Sequence, residues 1–320
     1  MITQWLRLVA TAAAVLGAVP VSAQDYPARP IRLVIPFPPG GGNDVVGRIV
    51  AAELGVRLGK QVIVDNRAGA AGIVGTEVAA AAPPDGYTLL VIASNHVTNP
   101  WQQKIRHDPI KSFTPIAMLA AGPVVLCANP EVPAKTVREF IALAKSKPGQ
   151  LFFANGGEGG FQHLIAASLA KATGIDVVHV PFKGGGPAMI DVLAGRAQFL
   201  MAPIAQVRPH VTGRKLHILG IGSATRSPAL PEVLTIAEQG VPGYTAGNWW
   251  GVVGPAGLAQ PIVDLLHKEI SGALAAPQTQ KRLEAEGAEP TPMSTAEFAA
   301  HIVAELSRWG VVSKGLGLKP

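Results

Sequence analysis

Pro36-Phe37-Pro38-Pro39-Gly40-Gly41-Gly42-Asn43-Asp44 stands between two patterns of different period. Ahead of it, Ile31-Arg32-Leu33-Val34-Ile35 is a short apolar run of strand type. Behind it, Val46, Ile49, Val50, Leu54 and Leu58 recur at helical spacing. The stretch therefore reads as a strand-to-helix turn. Its prolines end the strand, because proline has no N–H to give to a ladder. Its glycines leave backbone N–H groups uncovered by side chains. Asn43 or Asp44 suits the helix N-cap. Such a turn offers free N–H groups and the positive end of a helix to an anion. The same residues also make an ordinary tight turn, and local physics leaves both readings open.

The device recurs twice. Leu151 to Ala154 is strand-like and runs into Asn155-Gly156-Gly157-Glu158-Gly159-Gly160, then a helix from Phe161 to Ala172. Val177 to Pro181 runs into Phe182-Lys183-Gly184-Gly185-Gly186, then a helix through Leu193 opened by Pro187. Between and after these, strands are expected at Gln61 to Asp65, Tyr87 to Ala93, Ile116 to Ala120, Val124 to Ala128, Leu216 to Ile221 and Trp249 to Val253. Helices are expected at Ile73 to Ala82, from a Thr136 cap through Lys145 with Glu139 completing a capping box, and in three closing segments from Ile262 to Gly310. This alternation implies an α/β fold with parallel sheets covered by helices on both faces. Ligands of such sheets bind outside the carboxyl ends of the strands. Three Gly-rich turns there, with Ser94-Asn95 at the end of another strand, point to a shared cleft.

The chain has 320 residues, 48% hydrophobic and 15% charged, which allows two domains of ordinary size. Arg7, the apolar run Leu8 to Val19, Pro20 and Val21-Ser22-Ala23 form the pattern of a signal peptide. Residues 1–23 are thus expected to be removed near Ala23, giving an exported, periplasmic protein. No later run is long enough for a membrane span. The single cysteine, Cys127, lies in a strand-like run and reads as a small core residue. The net charge of +6 is spread without a basic run or interleaved aromatics, so no nucleic-acid partner is expected.

Missing motifs narrow the function. None of the Gly-rich turns carries Gly-x-Gly-x-x-Gly or a phosphate-loop Gly-Lys-Ser/Thr ending, and Lys183 precedes its glycines. There is no Gly-x-Ser-x-Gly elbow. The eight histidines show no metal-ligand spacing, so neither metal nor cofactor is called for. His163, in the first turns of a helix after a Gly-rich loop, can orient that loop or reach a ligand. No nucleophile–base pair is visible. The pattern is that of a binder, not an enzyme.

The set Tyr26-Pro27-Ala28-Arg29-Pro30-Ile31, Pro36-Phe37-Pro38-Pro39-Gly40-Gly41, Asn66-Arg67-Ala68-Gly69 and Pro84-Asp85-Gly86-Tyr87-Thr88-Leu89 resembles the Bug family. These are extracytoplasmic substrate-binding proteins of tripartite tricarboxylate transporters. The resemblance continues through Val180-Pro181-Phe182-Lys183-Gly184-Gly185 and Arg226-Ser227-Pro228-Ala229-Leu230-Pro231 to Gly287-Ala288-Glu289-Pro290. It implies a two-lobed type II periplasmic-binding-protein (flytrap) fold with two crossings, here expected near Ala121-Gly122 and Ser223. Lobe I would then comprise 24–122 and 223–320, and lobe II 123–222. It implies a small carboxylate ligand, large and small membrane subunits as partners, and a monomer. Matched to family loops, the expected ligand contacts are Phe37, Gly40, Gly41, Gly42, Asn43, Asp44, Ser94 and Asn95 from lobe I. Those from lobe II are Asn155, Gly157, Gly159, Gly160, Lys183 and Gly184, to which His163 is added from its place after the Gly-rich loop.

Some positions depart from the family. Gly156 and Gly160 stand where many relatives have Ser or Thr, and Ala202 where many have Asp. The latter departure argues against an amine-bearing ligand. Lys183 is the one cation beside an expected ligand loop and suits a second carboxylate. Trp249 and Trp250 must face opposite ways on a strand, one toward the core and one toward the cleft. A sensor subunit presenting ligand to a signalling partner, or an exported enzyme on the same fold, remain alternatives at this level.

Overall fold

The computed structural model describes residues 26–317. The expected signal peptide and its cleavage after Ala23 lie outside the described residues.

The apolar run before the opening turn is β1 (Ile31–Ile35), which pairs in parallel with β2 (Val62–Asn66) and β3 (Thr88–Ala93). Helices α1 (Gly42–Leu58) and α2 (Ile73–Ala80) lie between these strands in the chain. α1 ends at Gly59, which is left-handed at φ 61°. There the Lys60 N–H bonds the Gly55 carbonyl and the Gly59 N–H bonds the Val56 carbonyl, closing the helix. After β3 come the single turn α3 (Asn95–Thr98) and the long strand β4 (Phe113–Ala128).

β4 joins the two halves of the molecule. Its first part pairs antiparallel with β9 (Gly247–Pro255) and β10 (Glu289–Pro290). Its last part pairs antiparallel with β7 (Phe199–Pro203) and β8 (His217–Ile221). The sequence reading gave two strands broken at Ala121-Gly122; the chain instead runs straight through. Gly122 is required there because a Cβ would sit 2.6 Å from the Gly287 carbonyl oxygen.

The first sheet runs β2-β1-β3-β9-β4. Beyond β4 the order continues β7-β5-β6, with β5 (Phe152–Asn155) and β6 (Val178–Pro181) parallel to each other and β5 parallel to β7. Both sheets are therefore mixed, since β4 and β9 run against their neighbours, whereas alternation alone implied parallel sheets. Helices α4 (Val137–Ser146), α5 (Phe161–Thr173), α6 (Gly185–Leu193) and α7 (Ile204–Thr212) belong to the second half. α8 (Gln260–Ala275), α9 (Pro277–Ala285) and α10 (Thr295–Gly315) close the chain.

Residues 223–246, expected with lobe I, pack on the second sheet. The Gln239 side chain accepts from the Val137 N–H and donates to the Leu219 carbonyl, both at 2.8 Å. The Tyr244 hydroxyl donates to the Ile165 carbonyl at 2.9 Å. The chain leaves this sheet at Ala246, whose N–H bonds the Gly222 carbonyl, and enters β9 at Gly247.

Trp249 and Trp250 do face opposite ways, but both are buried, in different apolar clusters. Neither reaches the cleft, because Phe298 and His301 stack edge-on against Trp249, and Trp250 lies in the core under α1. Phe140, Phe153 and Phe199, with ring centroids 4.6–6.3 Å apart, anchor the second half. Full burial of each contributes about 1.5–3 kcal/mol.

Candidate functional site

The opening turn is built by three residues with separate tasks. Gly40 takes φ +83°, a conformation that side chains disfavour. Gly41 is the N-cap of α1, in extended backbone at φ −84°. This corrects the expectation that Asn43 or Asp44 caps the helix. Asp44, on the third helical residue, reaches back instead. Its carboxylate accepts from the Gly40 N–H at 3.0 Å, from Asn66 Nδ2 at 2.9 Å and from Arg48 Nε at 2.9 Å. Burial opposes its ionisation, but these donors outweigh burial and hold the carboxyl below its usual range. Asp44 is therefore a strut under the turn. Asn43 accepts from Trp250 Nε1 at 2.8 Å through Oδ1, which leaves its NH₂ as the group free to donate.

The second-half turns are tied to one another. Asn155 Oδ1 accepts from the Gly157 N–H at 3.0 Å, and the Asn155 carbonyl accepts from the Phe182 N–H at 2.9 Å. The Gly159 N–H donates to His163 Nδ1 at 3.1 Å, so His163 orients its loop. Gly160 caps α5 and Gly184 caps α6, and the Gln206 amide of α7 donates to the Gly185 carbonyl.

The first-half and second-half turns meet face to face. A Cβ on Gly184 would lie 2.7 Å from Pro38 Cδ, and one on Gly186 would lie 3.3 Å from the Pro39 carbonyl oxygen. Glycine at 184 is thus what allows this close approach, and its φ of +129° adds to the requirement.

Where they meet lies a chamber of about 60 Å³. Among the described residues, none with a charged side chain lines its wall. It holds five amides, Asn43, Asn95, Gln162, Gln206 and Asn248, set among Phe37, Pro38, Phe161 and Pro203. Four helices, α1, α5, α6 and α7, begin at this wall. The first N–H groups of a helix have no intrahelical partner, and each N-terminus carries partial positive charge. An anion can be held here by dipoles and amide donors without a counter-cation.

The residues named from sequence divide into three sets. Phe37, Gly41, Gly42, Asn43, Asn95 and Gly160 line the chamber. Gly157, Gly159, His163 and Lys183 line a wider outer pocket of about 1080 Å³, together with Lys104 and Glu158. Gly40, Asp44, Ser94, Asn155 and Gly184 line neither; the Ser94 hydroxyl, for instance, accepts from the Trp249 N–H at 3.3 Å. Ala202 is fully buried in the apolar cluster of the second half and lines neither space. The sequence reading missed Gln162, Gln206, Asn248 and Ala71. Gln162 was within its reach, being in the first turn after a Gly-rich loop. Gln206 was not, because α7, with Pro209 inside it, has no clear apolar period.

A family model described as "Tripartite tricarboxylate transporter family receptor" matches residues 46–318. The chain belongs to this receptor family. BugT of Bordetella pertussis is 36% identical over 305 residues, covering 94% of each chain. The structure of the periplasmic binding protein BugD superimposes on this receptor with a TM-score of 0.89 at 31% identity, covering 92% of this chain and 99% of BugD. The structure of the R. palustris protein Rpa4515 with adipate gives 0.90 at 32% identity, covering 92% of this chain and all of that one. The receptor is thus a Bug-family solute-binding protein with the two-lobed fold of periplasmic binding proteins.

Proposed function

We propose that this receptor captures a small carboxylate in the chamber between two lobes, one formed by 26–122 with 247–317 and the other by 123–246. The observation that carries the proposal is the convergence of four helix N-termini and five amides, from both lobes, on one space without charged side chains. An ionised carboxylate is the group that such donors satisfy, since it is acceptor-only. Helix α1 and Asn43 serve it from one side, and α5, α6, Gln162 and Gln206 from the other. Lys183 and Lys104 stand in the outer pocket, where a second anionic group on a longer ligand would meet them. The adipate bound to Rpa4515 supports a ligand of this kind. The protein is exported, loses its signal peptide near Ala23, and passes its ligand in the periplasm to the large and small membrane subunits of a tripartite transporter.

Gly41→Val tests the chamber. Gly41 already has a backbone conformation that valine adopts, and its Cβ would meet nothing closer than the Pro38 carbonyl oxygen at 3.8 Å. The variant should therefore fold, with a branched side chain placed on the chamber wall. Adipate at about 100 times its dissociation constant should stabilise the wild type by roughly 2.7 kcal/mol. That is a melting shift of roughly 5–10 °C. The variant should unfold cooperatively and lose most of the shift. A folded variant that keeps the full shift would place the ligand elsewhere.

A further inference from the structure

One residue is common to the chamber and the outer pocket. Ala71 lines both spaces, and the loop Gly157–Gly160 abuts it: a Cβ on Gly157 or Gly160 would lie 3.1 or 3.3 Å from Ala71 Cβ. The segment that carries Ala71 is strained. Gly69, Ala70, Ala71 and Gly72 all have positive φ, at +140°, +47°, +52° and +95°. Two of the four are alanines, which pay a steric cost in that region that glycine does not. The strain is held in place by buried amides. Asn95 and Asn99 both donate to the Ala71 carbonyl, at 3.3 and 3.0 Å, and the Thr76 hydroxyl donates to the Gly72 carbonyl at 2.9 Å.

We propose that Ala71 is a specificity-determining residue: its methyl group, set against Gly157 and Gly160, is a partition that fixes how long a ligand the chamber accepts. The proposal rests on the carboxylate reading above. A chamber of about 60 Å³ takes a carboxylate and a short stem. On this proposal a longer chain enters the outer pocket where Ala71 meets Gly160, since Ala71 lines both spaces. Removing the methyl group opens that passage and relieves the backbone at once. Adding a methyl group on the facing loop thickens the partition. Gly160 is in extended backbone at φ −82°, which alanine adopts, and its new Cβ would stand 3.2 Å from the Gly157 carbonyl oxygen and 3.3 Å from Ala71 Cβ.

The test is the ratio of affinities for adipate and succinate, two dianions that differ in length, measured by calorimetry on the wild type, Ala71→Gly and Gly160→Ala. Ala71→Gly should raise the preference for adipate by about tenfold, the scale set by one methylene in a fitted pocket, and Gly160→Ala should lower it. The melting temperature of Ala71→Gly should not fall, which separates a specificity change from misfolding. Intact binding with the ratio changed by less than about twofold in both variants overturns the partition alone. A wild type that binds neither acid overturns the partition as a selector of length, whereas the carboxylate reading itself falls only if no small mono- or dicarboxylate binds.

Discussion

His96, His179 and His163 are each held neutral by their surroundings. His96 is 3% exposed, and its Nε2 lies 2.8 Å from the Pro109 carbonyl, an arrangement that needs the Nε2–H tautomer. Burial pulls its pKa down to about 4, with His107 adding to the effect and the Pro109 bond opposing it. Burial, then the neighbouring His163, pull His179 to about 4 as well. Burial also lowers His163, against the pull of Glu158, and its Nδ1 must stay unprotonated to accept from the Gly159 N–H. Between pH 6.5 and 4 the unfolded chain takes up protons that folded His96 and His179 refuse. Stability should therefore be full above pH 6.5, fall as pH drops through that window, and gain no further loss from these two residues below it. Urea midpoints at pH 7, 5.5 and 4 check this, and a midpoint that stays constant would contradict it. At this scale the Gly-rich turns were legible, because glycine and proline act through the backbone wherever they stand. The amides of the chamber wall were not. An Asn or Gln acquires its role only from what the fold sets opposite it, as Trp250 fixes Asn43. The cap was misplaced because Asp44 serves the Gly40 N–H from inside the helix, not from its end.

The three strand–turn–helix units, β1–α1, β5–α5 and β6–α6, follow from local sequence, since period and punctuation agree in each. β4 does not. Ala120-Ala121-Gly122-Pro123 has the composition of a loop, but its backbone partners lie on β9 and β10, far along the chain, where Pro123 pairs with Gly247 and Ala121 with Glu289. Only the assembled sheet makes that stretch a strand. Gly122→Ala should therefore destabilise the protein, because the contact is with backbone that cannot swing aside: the new Cβ would stand 2.6 Å from the Gly287 carbonyl oxygen. The expected cost is about 1–3 kcal/mol, typical of overpacking. A urea midpoint equal to that of the wild type would show that the turn at Gly287 yields at no cost.

Two connections carry the main chain between the sheets, β4 near Gly122 and the Ala246–Gly247 step. Besides the meeting of the turns at the chamber, the Trp309 ring of α10 meets the Phe161 ring of α5 edge-on, with centroids 5.5 Å apart. Phe161 also lines the chamber, so the C-terminal helix touches a residue of its wall. The two-lobed fold was legible in the sequence through a chain-long set of motifs. The proposed division differs from that reading at 223–246, which has the loop-like composition of a connection and packs on the second sheet. The proposed capture depends on charge recognised by dipoles and amides. It is tested most directly by isothermal titration calorimetry of the mature chain with a panel of small mono- and dicarboxylates, each paired with its primary amide. Capture in the chamber predicts that at least one acid saturates one site per chain and that its amide binds about 100-fold more weakly or worse, because the donors of the wall are left facing donors. An amide that binds as tightly as its acid, or a panel in which no acid binds, would contradict it.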